Sequence, residues 1–322
     1  MTDIPEISVI MPCYNAEKYI ASAINCILAQ TFENFEFIII NDGSSDKTDE
    51  IISGFSDDRI KYFNRTRMGI AGQLNFGISV SNTDIIARMD SDDLCLPDRL
   101  TIQYNFLKEH KDVSLLGTSF ILIDESSNYI SKKIQPETHD AIEFMMPVIA
   151  SVLHATIMFY KEVVVQSGGY KENISFAEDH ELFLRVLAAG YKMHNIQAPL
   201  YKYRSPNIIE SREKLKLQDM NVYKNGLSYL NEKYKKLPGD KFNYYYRLGL
   251  LEYYRGSIPS SRRLLFKAIR IKPTGLNKIF RYLLISCLGD TIIKNLRSAG
   301  ILNYLSLRIN KYFGKDFHKI KN

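Results

Sequence analysis

Short apolar runs alternate with segments of helical period through the first 200 residues. Residues 7–11 and 35–40 are β-branched-rich runs of the kind that form strands buried on both faces. Between them, AEKYIASAINCILAQ repeats Tyr19, Ile20, Ala23, Ile27 and Leu28 at helical spacing. Ser45-Asp46 then opens a helix whose first turn is acid-rich (Asp46, Asp49, Glu50), as the helix dipole favours. A strand over 60–63, a helix over about 70–80 and a strand over 84–89 extend the alternation. The order βαβαβαβ predicts an α/β sheet with right-handed crossovers. In such sheets ligands bind beyond the carboxyl ends of the strands.

The polar clusters fall at those ends. Pro12-Cys13-Tyr14-Asn15 follows the first strand, Asn41-Asp42-Gly43-Ser44-Ser45 the second and Asp90-Ser91-Asp92-Asp93 the fourth. No Gly-x-Gly-x-x-Gly follows the first strand, which argues against a dinucleotide site. In ARMDSDD, residues 87–93, three carboxylates crowd the end of a buried strand. Two carboxylates roughly 5 Å apart repel by about 3 kcal/mol at an effective dielectric of about 20, so something must offset the cost.

An extended chain would set Asp90 and Asp92 on one side, about 7 Å apart, with Asp93 facing away. A hard divalent cation, Mg²⁺ or Mn²⁺, would neutralise the pair and bind diphosphate oxygens. The competing reading is a solvated turn or cap ahead of a helix beginning at Pro97. An EF-hand is excluded, because Cys95 stands where its loop requires glycine.

Two further stretches each carry a structural and a chemical reading. Asn-Asp-Gly makes a turn by itself; alternatively the Asp42 carboxylate accepts the imide N–H of a uracil or thymine ring. In SFAEDHELFLRVLAAGY, residues 175–191, Ser175 and Glu178 have capping-box spacing and Leu182, Val186 and Ala189 share a helix face. Asp179 is then either a helix-dipole acid or a general base, and the second role needs burial or nearby acids to overcome the helix terminus. His154 reads as a hydrogen-bonded core histidine or a ligand, and Arg65 and Arg67 as loop arginines or a diphosphate clamp.

Charge divides the chain. Residues 1–200 carry 16 Lys/Arg against 28 Asp/Glu, a net −12, whereas residues 201–322 carry 26 against 8, a net +18. The acidic part suits metal binding, and the basic part suits an anionic partner such as a membrane surface. No nucleic-acid-binding module is recognisable there. From about 205 onward the pattern is helical; FNYYYRLGLLEYYRG and SIPSSRRLLFKAIRIKP form a hairpin over about 241–273, broken at Gly256 and stopped at Pro273, loosely similar to one tetratricopeptide unit. IFRYLLISCLGDTII with the Lys/Arg-rich tail suits a membrane interface but is too short to span. The acidic N-terminus lacks leader character, and four scattered cysteines (Cys13, Cys26, Cys95, Cys287) suit free thiols. A cytoplasmic location, peripheral on the inner membrane face, is expected.

Taken in order, VIMPCYN, IIINDGSSDKT, RTRMGIAGQLNFGI, IARMDSDDLCLPDRL and FAEDHELFLR resemble glycosyltransferase family 2, over roughly residues 5–205. The resemblance implies a GT-A-type catalytic domain over 1–205, a basic helical region over 206–322, and inverting transfer from a nucleotide-diphospho-sugar, a UDP- or dTDP-sugar. It places Pro12, Tyr14, Asn15, Asp42, Arg67, Gly69, Asp90 and Ser91 on the donor, with Asp90 near the ribose. Asp92 becomes the principal Mn²⁺ or Mg²⁺ ligand, His154 lies at the site's edge and joins the metal candidates, and Glu178-Asp179 supplies the catalytic base through Asp179. The implied acceptor is a saccharide or a polyprenyl-diphosphate-linked one, as in bacterial lipopolysaccharide or capsule synthesis, with a homo-oligomer among the allowed assemblies. One departure is the segment Tyr203-Arg204-Ser205-Pro206, which lacks the histidine relatives often carry two residues after the arginine. A sugar nucleotidyltransferase and a non-catalytic nucleotide-sugar-binding protein are the rivals. The first lacks its glycine-rich, arginine-bearing loop, and the second has no need of both Asp92 and Asp179.

Overall fold

The computed structural model describes residues 4–174, 176–204, 212–237, 239–255, 257–275 and 279. The expected alternation forms β1 (Ile7–Cys13), α1 (Ile20–Leu28), β2 (Phe35–Asn41), α2 (Thr48–Ser53), β3 (Ile60–Asn64), α3 (Gly69–Val80) and β4 (Ile85–Arg88). These four strands lie in the order β3-β2-β1-β4 and are all parallel. Every residue of β1 and β2 is buried, because helices cover both faces. Ile7, Val9 and Met11 share a core with Ile20, Ala23, Ile24 and Ile27 of α1. The alternate face of β1 meets α3, where a Cβ on Gly77 would lie 2.7 Å from Ile10 and 2.9 Å from Ile40. A period-2 strand thus serves two helices, and Gly77 lets the second come close.

Beyond β4 the sheet becomes mixed. β5 (Leu94–Cys95), α4 (Arg99–Glu109), β6 (Val113–Ile123), β7 (Tyr129–Lys133), α5 (His139–Met145), β8 (Met158–Tyr160), α6 (Lys161–Gln166), α7 (Glu178–Ala188) and β9 (Lys192–Arg204) follow in the chain. β8 runs antiparallel to β4, β6 antiparallel to β8, β9 parallel to β6, and β5 antiparallel to β9, while β7 pairs with β6. All-parallel strands at one end and mixed pairings at the other complete one nine-stranded sheet among the described residues.

Several boundaries differ from the sequence reading. The helix expected from Ser45 begins at Thr48, and Asp46 spends its carboxylate on the Thr48 amide (3.0 Å) and hydroxyl (2.6 Å). The helix expected from Pro97 begins at Arg99, because 94–95 are drawn into the sheet by β9. The capping box fails: α7 starts at Glu178 with Ala177 as its N-cap, in the left-handed region at φ 60°, so Glu178 sits at the first helical position rather than the third. Ser175 lies outside the described residues, as do Ser205, Pro206, Gly256, Cys287 and the stretch IFRYLLISCLGDTII apart from Ile279.

The chain divides into two compact units, Met1–Val222 and Tyr223–Asn322. The division falls within α8 (Arg212–Lys236), where the sequence reading set it at 205/206. In the second unit α9 (Lys241–Tyr254) and α10 (Ile258–Ile271) form the expected helical pair. Ser261 donates to the Gly249 carbonyl at 2.8 Å, and a Cβ on Gly249 would meet Leu265 at 2.7 Å. No helix among the described residues is long and apolar enough to cross a membrane.

Candidate active site

The loops after β1 and β2 are laced into one rim. The Asp42 amide donates to the Cys13 carbonyl at 2.9 Å. Asn15, left-handed at φ 48°, donates its amide to Ser44 Oγ (2.9 Å) and accepts from the Ser45 amide through Oδ1 (2.8 Å). Asp42 is buried, and its carboxylate accepts from the backbone amides of Met68 (2.5 Å) and Gly69 (2.9 Å). It therefore bonds a distant loop rather than its own turn. Gly69 adopts φ 75°, the conformation glycine takes at least cost, and so opens α3 toward the rim. The Arg67 guanidinium lies over the Tyr14 ring at 3.8 Å, and Arg65 lies over Phe76 at 4.0 Å. Pro12 is buried within β1 opposite Ile40.

The acidic turn departs from an extended chain. Ser91 and Asp92 form a turn between β4 and β5, so Asp93 swings inward and joins Asp90 and Asp92 with ligand atoms within 4.8 Å of one another. The expectation that Asp93 faces away is therefore wrong, and the cause is the pairing of Leu94-Cys95 with Tyr201-Lys202. Arginines supply part of the missing compensation. Buried Arg88 grips Asp90 through both terminal nitrogens, one at 2.6 Å. The Arg204 amide donates to Asp93 Oδ1 at 2.6 Å, and its guanidinium donates to the Asp92 carbonyl (2.7 Å), the Asp124 and Glu125 carbonyls (2.9 and 3.0 Å) and Ser127 Oγ (3.0 Å).

The offset is incomplete. Desolvation and the charge of Asp90 push the Asp92 carboxyl up to about 6, although its outer side is exposed. Burial and both neighbouring carboxylates hold Asp93 well above the ordinary carboxylate range, and its Oδ2 has no hydrogen-bond partner. Crowded, hard oxygen donors with one left unpartnered fit Mg²⁺ or Mn²⁺.

The start of α7 stands close enough to this cluster for the charges of Arg88 and Asp90 to act on Glu178. Desolvation, then the charge of Asp179, raise the Glu178 carboxyl from 4.5 to about 7. An acid whose pKa is higher in the folded state binds protons preferentially there, so native stability falls as pH rises from about 4.5 to 7. Glu178→Gln should raise stability near pH 8 by about 1–3 kcal/mol and flatten that dependence. Urea melts across pH 5–8 that retain the wild-type slope would contradict this.

His154 is placed otherwise than the metal candidates. It is buried, its Nε2 pairs with the Tyr170 hydroxyl at 2.8 Å, and among the described residues it is not part of the group that could share an ion. Burial and the charge of Arg88 depress its pKa well below the usual value, which keeps the ring neutral. The sequence reading missed Arg88, Tyr201 and Tyr170, and it named Arg204 only as part of a departure from relatives, without a task. A buried arginine in an apolar strand was the available signal for Arg88, since such a charge requires a partner.

A mixed α/β sheet thus gathers three acids and the loops after β1 and β2 at the carboxyl ends of its parallel strands, where such sheets hold ligands. The profile of "Glycosyl transferase family 2" matches residues 8–169. Over 206 residues the chain is 34% identical to the O-antigen biosynthesis glycosyltransferase WbnJ of Escherichia coli, covering 62% of this chain and 80% of that one. It is likewise 34% identical to the putative glycosyltransferase EpsE of Bacillus subtilis (strain 168), over 62% of this chain and 73% of the relative. The crystal structure of S. aureus TarS 1-349 in complex with UDP-GlcNAc superposes with a TM-score of 0.58 at 17% identity, covering 95% of this chain and 91% of that one. The fold is of the GT-A type. The chain belongs to glycosyltransferase family 2, and it is an enzyme that transfers glycosyl groups.

Proposed function

We propose that the enzyme moves a sugar, with inversion, from a UDP- or dTDP-sugar to a hydroxyl of a saccharide or lipid-linked saccharide in surface polysaccharide synthesis. The observation that carries the reading is the convergence of three carboxylates after β4 with the acid pair of α7 around one buried arginine. Relatives named for O-antigen biosynthesis and a structural neighbour bound to UDP-GlcNAc support the donor and product classes.

Each residue then has a task. Tyr14 and Arg67 offer a flat cationic face for the base, and such stacking contributes about 1–3 kcal/mol. Asp42 has lone pairs beyond the two its amide partners use, and these accept the ring imide N–H. Pro12, Asn15 and Gly69 shape the rim, while Asp90 and Ser91 face the ribose side. Asp90, Asp92 and Asp93 would hold Mg²⁺ or Mn²⁺, which when bound supplies Lewis-acid stabilisation of the departing diphosphate. Asp179, fixed at a helix start, takes the proton of the attacking hydroxyl, and that oxygen forms the new bond to the anomeric carbon as the bond to the diphosphate breaks. Glu178, raised toward neutrality, limits the negative charge facing the diphosphate.

A thermal-shift screen tests the donor. UDP- or dTDP-sugars with Mn²⁺ at 100 times Kd should stabilise the fold by about 2.7 kcal/mol, whereas cytidine and purine nucleotides should not. Absence of any shift across the panel would overturn the donor assignment.

A further inference from the structure

The second unit carries a surface that the transfer chemistry leaves unused. On α10, Arg263, Phe266, Lys267, Arg270 and Ile271 follow the spacing of one helix face, and all are exposed. Phe266 is 50% and Ile271 46% exposed, so two large apolar side chains stand in solvent among three cations. The opposite face, Ser261, Leu265 and Ala268, is buried. No acidic residue occurs between Tyr253 and Lys272, so the ridge has one sign.

An open cavity of about 270 Å³ adjoins it, lined by Tyr234, Tyr244 and Tyr245 with Lys235, Lys241 and Asp240, whose carboxylate accepts from the Asn243 amide (3.4 Å) and Nδ2 (2.9 Å). Tyr245 joins the two features, because Lys267 Nζ of the ridge sits 5.3 Å over its ring. Lys235 and Lys241 are exposed and make no ion pair among the described residues. The Tyr244 hydroxyl donates to Asn231 Oδ1 at 3.0 Å, which fixes part of the cavity wall.

From this geometry we propose that the outer face of α10 and the tyrosine-lined cavity form a docking surface for anionic phospholipid. The cations meet the headgroup phosphates, Phe266 and Ile271 enter the headgroup–acyl boundary, and one phosphate-bearing headgroup occupies the cavity between Lys235 and Lys241. An amphipathic face of cations and bare apolar side chains is the pattern of an interfacial helix. Nucleic acid would use the charge but not the exposed Ile271, and lipid is favoured for that reason.

Flotation of the full-length enzyme with vesicles tests it. Phosphatidylglycerol-containing vesicles should carry the protein up and pure phosphatidylcholine vesicles should not. Each basic residue near an anionic surface contributes about fivefold to partitioning, so R263Q/K267Q/R270Q should reduce it about a hundredfold while donor hydrolysis in vesicle-free solution stays unchanged. F266S should weaken vesicle binding several-fold without changing retention on a mixed-sequence RNA. K235Q/K241Q should lower competition by soluble glycerophosphate, which separates the cavity from the ridge. Equal flotation with both lipids, unaltered partitioning of the folded triple variant, or tight RNA binding by a protein that ignores vesicles would overturn the proposal.

Discussion

Asp92→Asn is expected to lower transfer by about 10³-fold or more while the protein keeps its fold. The size follows from charge stabilisation of a departing diphosphate, worth several kcal/mol, at roughly 1.4 kcal/mol per tenfold. Among the three acids Asp92 is the exposed one: the Arg88 side chain holds Asp90, and the Arg204 backbone amide holds buried Asp93. Its exposed edge also faces outward, where a diphosphate would arrive. Removing its charge relieves the desolvation and the repulsion from Asp90 that together push its pKa up to about 6, so the melting temperature should stay level or rise. Initial rates of nucleoside diphosphate release, with calorimetry on the same preparation, decide the matter. Turnover within tenfold of wild type would remove Asp92 from its role.

Asp179→Asn should reduce kcat by about 10²–10⁴-fold with little change in KM for the donor. Asparagine keeps the shape and accepts hydrogen bonds, yet it cannot take a proton at neutral pH. The groups proposed for the donor, Tyr14, Asp42 and Arg67, lie on other elements and are untouched. A split in which kcat falls and KM holds is the signature of a group acting in the transition state alone. Should kcat survive in this variant and fall in Glu178→Gln, the base is the neighbouring residue.

What was legible in the sequence was what local pattern controls. β1, β2 and the helix between them were readable because a buried parallel strand is a continuous apolar run and its helix repeats at 3.6. The acidic motif was legible as a cluster and wrongly read as a shape. Its turn depends on Leu94-Cys95 pairing with residues more than 100 positions away, a contact that no local propensity encodes. The same distance hid Arg204, whose neighbours in sequence give no hint that its backbone amide completes Asp93. Glu178 was misread for a nearer reason: a left-handed Ala177 starts the helix later than the cap spacing suggested. His154 stayed open between a core histidine and a ligand because a neutral histidine paired with a tyrosine and a liganding one look alike in one dimension, and the structure shows the paired core histidine.

The knot at Arg204 bears on how the enzyme comes into being. Every family motif has been synthesised by residue 188, yet the acidic turn has neither its β9 partner nor its guanidinium anchor until residue 204 follows. A nascent or proteolysed chain ending in that interval would carry all the family motifs and an unassembled acidic turn. On the proposed mechanism, transfer therefore waits until β9 is in place.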